Sequence, residues 1–125
     1  MWVPLVENNE CSSEGAEHFI NRHVTRLMES DPMIDTVILG CTHYPLLQKQ
    51  IARFLPSGVT IVSQGKIVAD SLENYLKRHP EISTRCSQQG RRDFYTSEKA
   101  AVFDRLATLF YGSEIESREM EFSCQ

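Results

Sequence analysis

Apolar residues recur along this chain with two different rhythms, and the changes between them mark out its elements. From Ser13 onward, Phe19, Ile20, Val24, Leu27 and Met28 fall at three- and four-residue steps, the spacing of one helical face. Ser13 is a fair N-cap and Glu14 and Glu17 put negative charge in the first turn, while Pro32 predicts a stop near Asp31 because it disfavours helical backbone in the residue before it. Thr36 to Leu39 is short, largely β-branched and unalternated, which predicts a strand covered on both faces and ended at Gly40. Pro45 fits the first position of a second helix carrying Leu46, Leu47, Ile51, Phe54 and Leu55, closed by the turn from Pro56 to Gly58. Val59 to Val62 repeats the strand pattern and Ile67 to Leu76 the helical one. Strand, helix, strand, helix in that order predicts parallel strands joined by crossovers, hence an α/β fold.

The two ends read differently. Trp2 to Val6 is a short apolar run broken by Pro4 and followed by the polar cluster from Glu7 to Glu10, which predicts a strand end or loop. From His79 to Arg92 the periodicity is lost, and residues 80–92 read as a linker or a crossing between two bodies. Beyond it, Asp93 to Thr96 predicts a strand. Ser97 is expected to cap a helix with Val102, Phe103, Leu106, Leu109 and Phe110 on one face, and Ile115 to Phe122 to form a final strand. The predicted class is a partial parallel sheet in a three-layer αβα half-domain, with a carboxy-terminal strand-helix segment.

Composition narrows the function classes. With 125 residues, 41% of them hydrophobic and 24% charged, the chain can bury one core. No apolar run is long enough to span a bilayer and the start does not read as a signal peptide, so no membrane partner and a cytoplasmic location are expected. Cys11, Cys41, Cys86 and Cys124 lack the spacing of a zinc site and the density of a disulfide framework, so each is expected to be a free thiol and no metal is expected. The net charge of -4 argues against a nucleic-acid partner. Arg85, Arg91 and Arg92 form a local basic cluster that could take a small anion or simply line a solvated loop. His18 and His23, five apart on the first predicted helix, do not share a face as a metal pair would, and neither they, His79 nor Ser97 is assigned a role.

Chemistry concentrates between Val37 and Leu47, where a thiol, Cys41, stands at the carboxyl end of a predicted strand and directly before a helix start. Ligands of open α/β sheets bind at that edge. Gly40 is expected to let the backbone turn sharply, and the unpaired N–H groups of the following helix would attract an anion and favour a thiolate at Cys41. His43, two residues on, could tune the sulfur or move a proton. The plainer reading of the same residues is a small residue ending a strand, a turn threonine at Thr42 and a half-exposed surface imidazole.

The string Leu39-Gly-Cys-Thr-His-Tyr-Pro-Leu-Leu47 resembles the signature of the glutamate racemases, in a superfamily whose aspartate racemases tend to carry Cys-Thr-Glu at the corresponding place. Val3-Pro-Leu-Val-Glu7 resembles an upstream segment of the same family, and Phe94 to Ser97 with Phe103, Ala107 and Phe110 to Gly112 resembles its closing strand and helix. Ile61 to Gly65 departs from the family's usual Asp-Ser pair.

The resemblance implies an isomerase that interconverts L- and D-glutamate for peptidoglycan synthesis, by two-cysteine proton transfer without a cofactor. It implies Cys41 as one of the two acid-base residues, Thr42 as a substrate contact through its N–H and hydroxyl, His43 as an assistant to Cys41, and Glu7 in a supporting place near the entrance. The family's Ala-Cys-Asn-Thr and Asp-Ser-Gly strings do not occur here, and Cys11, Cys86 and Cys124 lack that context. Residues 1–79 are therefore expected to be part of the family's second domain, and residues 93–125 a closing segment packed on a first domain. The chain alone is expected to be inactive and to associate with another copy or with the rest of the fold, which would cover its sheet edges. The alternative is a non-catalytic half-fold that binds a small carboxylate. Nothing in these residues selects glutamate over aspartate apart from the resemblance.

Overall fold

A computed structural model describes residues 1–87 and 89–121, in two compact units that divide between Tyr75 and Leu76. The first unit begins with α1 (Trp2–Glu7), where the sequence predicts a strand end or loop. Pro4 is tolerated because it sits in the first turn, whose N–H groups have no intrahelical acceptor. The cluster after it is the helix stop. Asn9 takes a left-handed φ of 57° and donates its N–H to Val6, while the Glu10 N–H reaches back to the Leu5 carbonyl at 2.7 Å. That pair of bonds is a Schellman closure, with Asn in the place more often held by Gly.

Helix α2 (Glu14–Ser30) forms as its periodicity predicts, and the Ser13 hydroxyl accepts the Ala16 N–H at 3.1 Å. Strand β1 (Thr36–Leu39) leads into a 3-10 turn (Tyr44–Leu47) and then α3 (Gln48–Phe54), so the predicted single helix from Pro45 is split. Strand β2 (Thr60–Ser63) starts one residue later than predicted and pairs in parallel with β1, Thr36 opposite Thr60 and Leu39 opposite Ser63. α2 and α3 pack on one another, and Val6, Ala16, Ile20, Val24, Leu39, Leu47 and Ile51 form one buried core. The expectation that β1 is covered on both faces is corrected: Leu39 is buried, but Ile38, pointing the other way, is 63% exposed. α4 (Gln64–Arg78) follows β2, and its apolar stripe of Ile67, Val68, Leu72 and Tyr75 is likewise exposed.

The second unit holds the short helix α5 (Pro80–Ser83), inside the span predicted as linker. β3 (Phe94–Thr96), α6 (Ala100–Tyr111) and β4 (Ser117–Glu119) follow, and β3 and β4 pair in parallel. Ser97 does not cap α6. The N-cap is Lys99, which has no side-chain oxygen to offer, and the Ala100 N–H is held instead by Glu119 Oε1 from β4 at 2.9 Å. At the other end Gly112 adopts the left-handed φ of 79° and closes the helix through Thr108. The predicted final strand is shorter than expected within the described residues; its end at Phe122, like Cys124, lies outside them. The fold is α/β with short parallel strand pairs.

Candidate functional site

The Cys41 turn is built by what flanks it. β1 ends with Leu39 in the core, and the 3-10 turn is anchored on its far side by buried Leu47, so the residues between are held at both ends. Tyr44 adds a lateral hold, its ring meeting Trp2 of α1 edge-on at 4.9 Å. Gly40 is not in the left-handed region; its N–H turns back to the Ile38 carbonyl at 3.0 Å, so the sharp reversal expected of a glycine is made by a local hydrogen bond. The Tyr44 N–H bonds the Cys41 carbonyl at 3.2 Å and closes the turn that carries Thr42 and His43. Cys41 is half-buried at the strand's end. Because the turn after it is 3-10 and the α-helix starts only at Gln48, the field of a long helix does not begin at the sulfur as expected.

Four predicted side chains come together here. His43 Nδ1 lies 3.9 Å from Cys41 Sγ and 3.2 Å from Thr42 Oγ1. On the other side of the ring, Nε2 lies 3.2 Å from Glu7 Oε1, which the last residue of α1 brings from 36 positions away. A carboxylate on Nε2 holds the proton there, which leaves Nδ1 as the acceptor facing the hydroxyl and the thiol. Thr42 is the closer of the two donors. The line Glu7, His43, Cys41 can therefore steer a proton away from the sulfur, or return one, without moving the backbone. Glu7 sits at the carboxyl end of a short helix, where an acid opposes the local dipole, so its place is not explained by helix stability.

The remaining sequence candidates separate from this cluster. His23 stacks with Phe19 and lies against Trp2, and His18 meets Phe19 edge-on. In the second unit, Arg91 grips Asp93 through both Nε and Nη2, at 2.8 and 3.0 Å, which raises the guanidinium's pKa further. Arg92 lies over the Tyr111 ring at 6.0 Å, so two of the three basic residues already have partners. Burial pushes the Cys11 thiol above its ordinary pKa. Among the described residues no group of three His, Cys, Asp or Glu could hold a metal, and no helix is long and apolar enough to cross a membrane. The ring of Tyr44 and the indole of Trp2 were not singled out as site residues, and only their aromatic character marked them.

Comparison with known proteins bears on what this arrangement belongs to. No protein-family model matches the chain. Curated relatives do: glutamate racemase of Ruegeria sp. strain TM1040 is 38% identical over 100 residues, 80% of this chain and 36% of that protein. The glutamate racemase of Aquifex aeolicus is 30% identical over 118 residues, 94% of this chain and 42% of its own length. The crystal structure of glutamate racemase isoform RacE1 from Bacillus anthracis superposes with a TM-score of 0.77 at 27% identity, covering 95% of this chain and 43% of that one. The chain thus spans about two-fifths of the length of the relatives it matches. On sequence and fold together, it belongs to the glutamate racemase family, as a partial chain consistent with the carboxy-terminal portion.

Proposed function

We propose that Cys41 is one of the two acid-base cysteines of a glutamate racemase and that this chain supplies one face of its active site. The observation that carries the reading is the line from Glu7 through His43 to Cys41 at the end of β1, in a chain akin to glutamate racemases along most of its length. Cys41, as thiolate, takes the α-proton from one face of glutamate; a thiol on the opposite face delivers a proton to the planar carbanion, and the configuration inverts. His43 holds or returns the Cys41 proton, Glu7 fixes the imidazole's tautomer, and Thr42 binds the substrate carboxylate through its N–H and hydroxyl. No cofactor takes part, and the product serves peptidoglycan synthesis in the cytoplasm.

The opposite thiol belongs, in this reading, to the portion of the racemase that the chain does not span. Residues 1–79 are then part of the racemase's second domain and residues 93–125 a closing segment. The 125 residues alone perform no inversion, because one thiol reaches one face only. The experiment is alkylation of Cys41 with iodoacetamide, read by mass spectrometry, with and without glutamate, beside polarimetry on L-glutamate. Protection of Cys41 by glutamate with no change in optical rotation is expected. Labelling indifferent to glutamate, or racemisation by the chain at an ordinary enzymatic rate, would overturn the proposal.

A further inference from the structure

Helix α1 meets the Cys41 turn at both of its ends. Glu7, its last residue, reaches His43 Nε2 at 3.2 Å, and Trp2, its first, sets its indole edge-on to the Tyr44 ring at 4.9 Å. The two side chains therefore bear on successive residues of one turn, from points about 7.5 Å apart along the helix axis. A helix held at one point can tilt about it, and the second contact fixes the angle. Tilt matters here because the carboxylate is at the far end, and a hydrogen bond weakens steeply outside a narrow range of distance and angle. The Tyr44 contact also reaches the backbone of the thiol residue, since the Tyr44 N–H bonds the Cys41 carbonyl at 3.2 Å.

Stability does not account for an indole in this place. Trp2 Nε1 is buried and has no hydrogen-bond partner among the described residues, and a buried donor without an acceptor opposes folding. A phenylalanine would supply an aromatic edge and bury no such group. What the broader ring adds is reach: it meets His23 of α2, at 5.7 Å between centroids, as well as Tyr44, and so bridges α2 and the turn. A local rule broken without a gain in stability points to function.

We propose that Trp2 is a positioning residue of the Cys41 site, which fixes the tilt of α1 and so holds the Glu7 carboxylate on the His43 ring. The inference rests on the reading of Cys41 as an acid-base cysteine and adds the residue that sets its tuning. Titratable neighbours of the indole include His23 and the Met1 amino group, and those of His43 include Glu7 and Cys41.

The test follows alkylation of Cys41 by iodoacetamide in the 125-residue chain, by mass spectrometry, from about pH 5 to about pH 10. Glu7→Gln should move the midpoint of the rate profile by at least about half a pH unit. Trp2→Leu should move it in the same direction at least half as far, and Trp2→Phe less, while Trp2→Phe unfolds in urea close to the parent. Ile20→Val, which thins the core and removes none of these contacts, should keep the parent's profile. The parent's profile in Trp2→Leu, or in Trp2→Phe where the leucine variant does not fold, would overturn the proposal. So would a shift in Ile20→Val as large as that in Trp2→Leu, which would make the effect a general loosening. A shift in Glu7→Gln with none in Trp2→Leu would sink the positioning role and leave the Cys41 reading standing. If Glu7→Gln leaves the profile unmoved as well, the line through His43 fails and the role of Trp2 fails with it.

Discussion

Replacing Ile20 with alanine tests whether the core as described holds the site-bearing unit together. Ile20 is 0% exposed, in the middle of α2, and belongs to the cluster that also contains Leu39, Leu47 and Val6. The substitution removes three carbons, which at ~0.8 kcal/mol per buried methylene is about 2.4 kcal/mol of transfer free energy. A cavity that neighbouring helices cannot fully close adds to this, and buried Ile→Ala changes cost about 2–5 kcal/mol in all. We expect about 3–4 kcal/mol. Leu72→Ala on α4 is the control: the same loss of three carbons at a side chain 55% exposed should cost below about 1 kcal/mol. Urea unfolding followed by circular dichroism gives both values, provided the slope with denaturant stays constant between variants. Equal costs at the two positions, or a cost at Ile20 under about 1 kcal/mol, would mean that Ile20 is not packed in the core it shares with Leu39 and Leu47 as described.

Other expectations follow from single contacts. Ser13→Ala should cost about 1 kcal/mol by leaving the Ala16 N–H uncapped, and Ser13→Gly only a few tenths, measured by the same unfolding experiment. Asn9→Gly should stabilise the chain by several tenths of a kcal/mol, since glycine enters the left-handed region without strain. Because burial raises the Cys11 thiol, the thiol form favours the folded state; its contribution is complete below the unfolded pKa and is lost as pH rises through the folded one. Cys11→Ala should therefore flatten the alkaline fall in stability, and an unchanged fall would refute the assignment. Glu7→Gln should leave unfolding within about 1 kcal/mol of the parent, as for an exposed side-chain hydrogen bond, while altering the rate at which Cys41 is alkylated.

What the sequence revealed depended on how local the determinant was. α2 is long enough for its period to show and carries its own cap at Ser13, so it was legible at both ends. α1 was not: six residues make too few turns for a period, and Pro4 reads as a breaker when its position in a helix is unknown. Ser97 is a good capping residue in the abstract, but the α6 start takes its carboxylate from Glu119, a partner that only strand pairing supplies. The cover over β1 was misjudged for the same reason, because an unalternated apolar run states what a strand can bury and not what is present to bury it. At the site, Cys41, Thr42 and His43 were legible as neighbours, and Glu7 was suggested by resemblance. Its contact with the His43 ring required the docking of α1.

The division of that cluster has a consequence for how it fails. Cys41, Thr42 and His43 share one closed turn, so their mutual spacing survives any disturbance that leaves the Tyr44 to Cys41 bond intact. The carboxylate hangs on a separate short rod, secured by buried Val6 and the left-handed Asn9. In the proposed site, injury to the rod would therefore detune the imidazole while sparing the sulfur, producing a graded decline where damage to the turn would give an abrupt one.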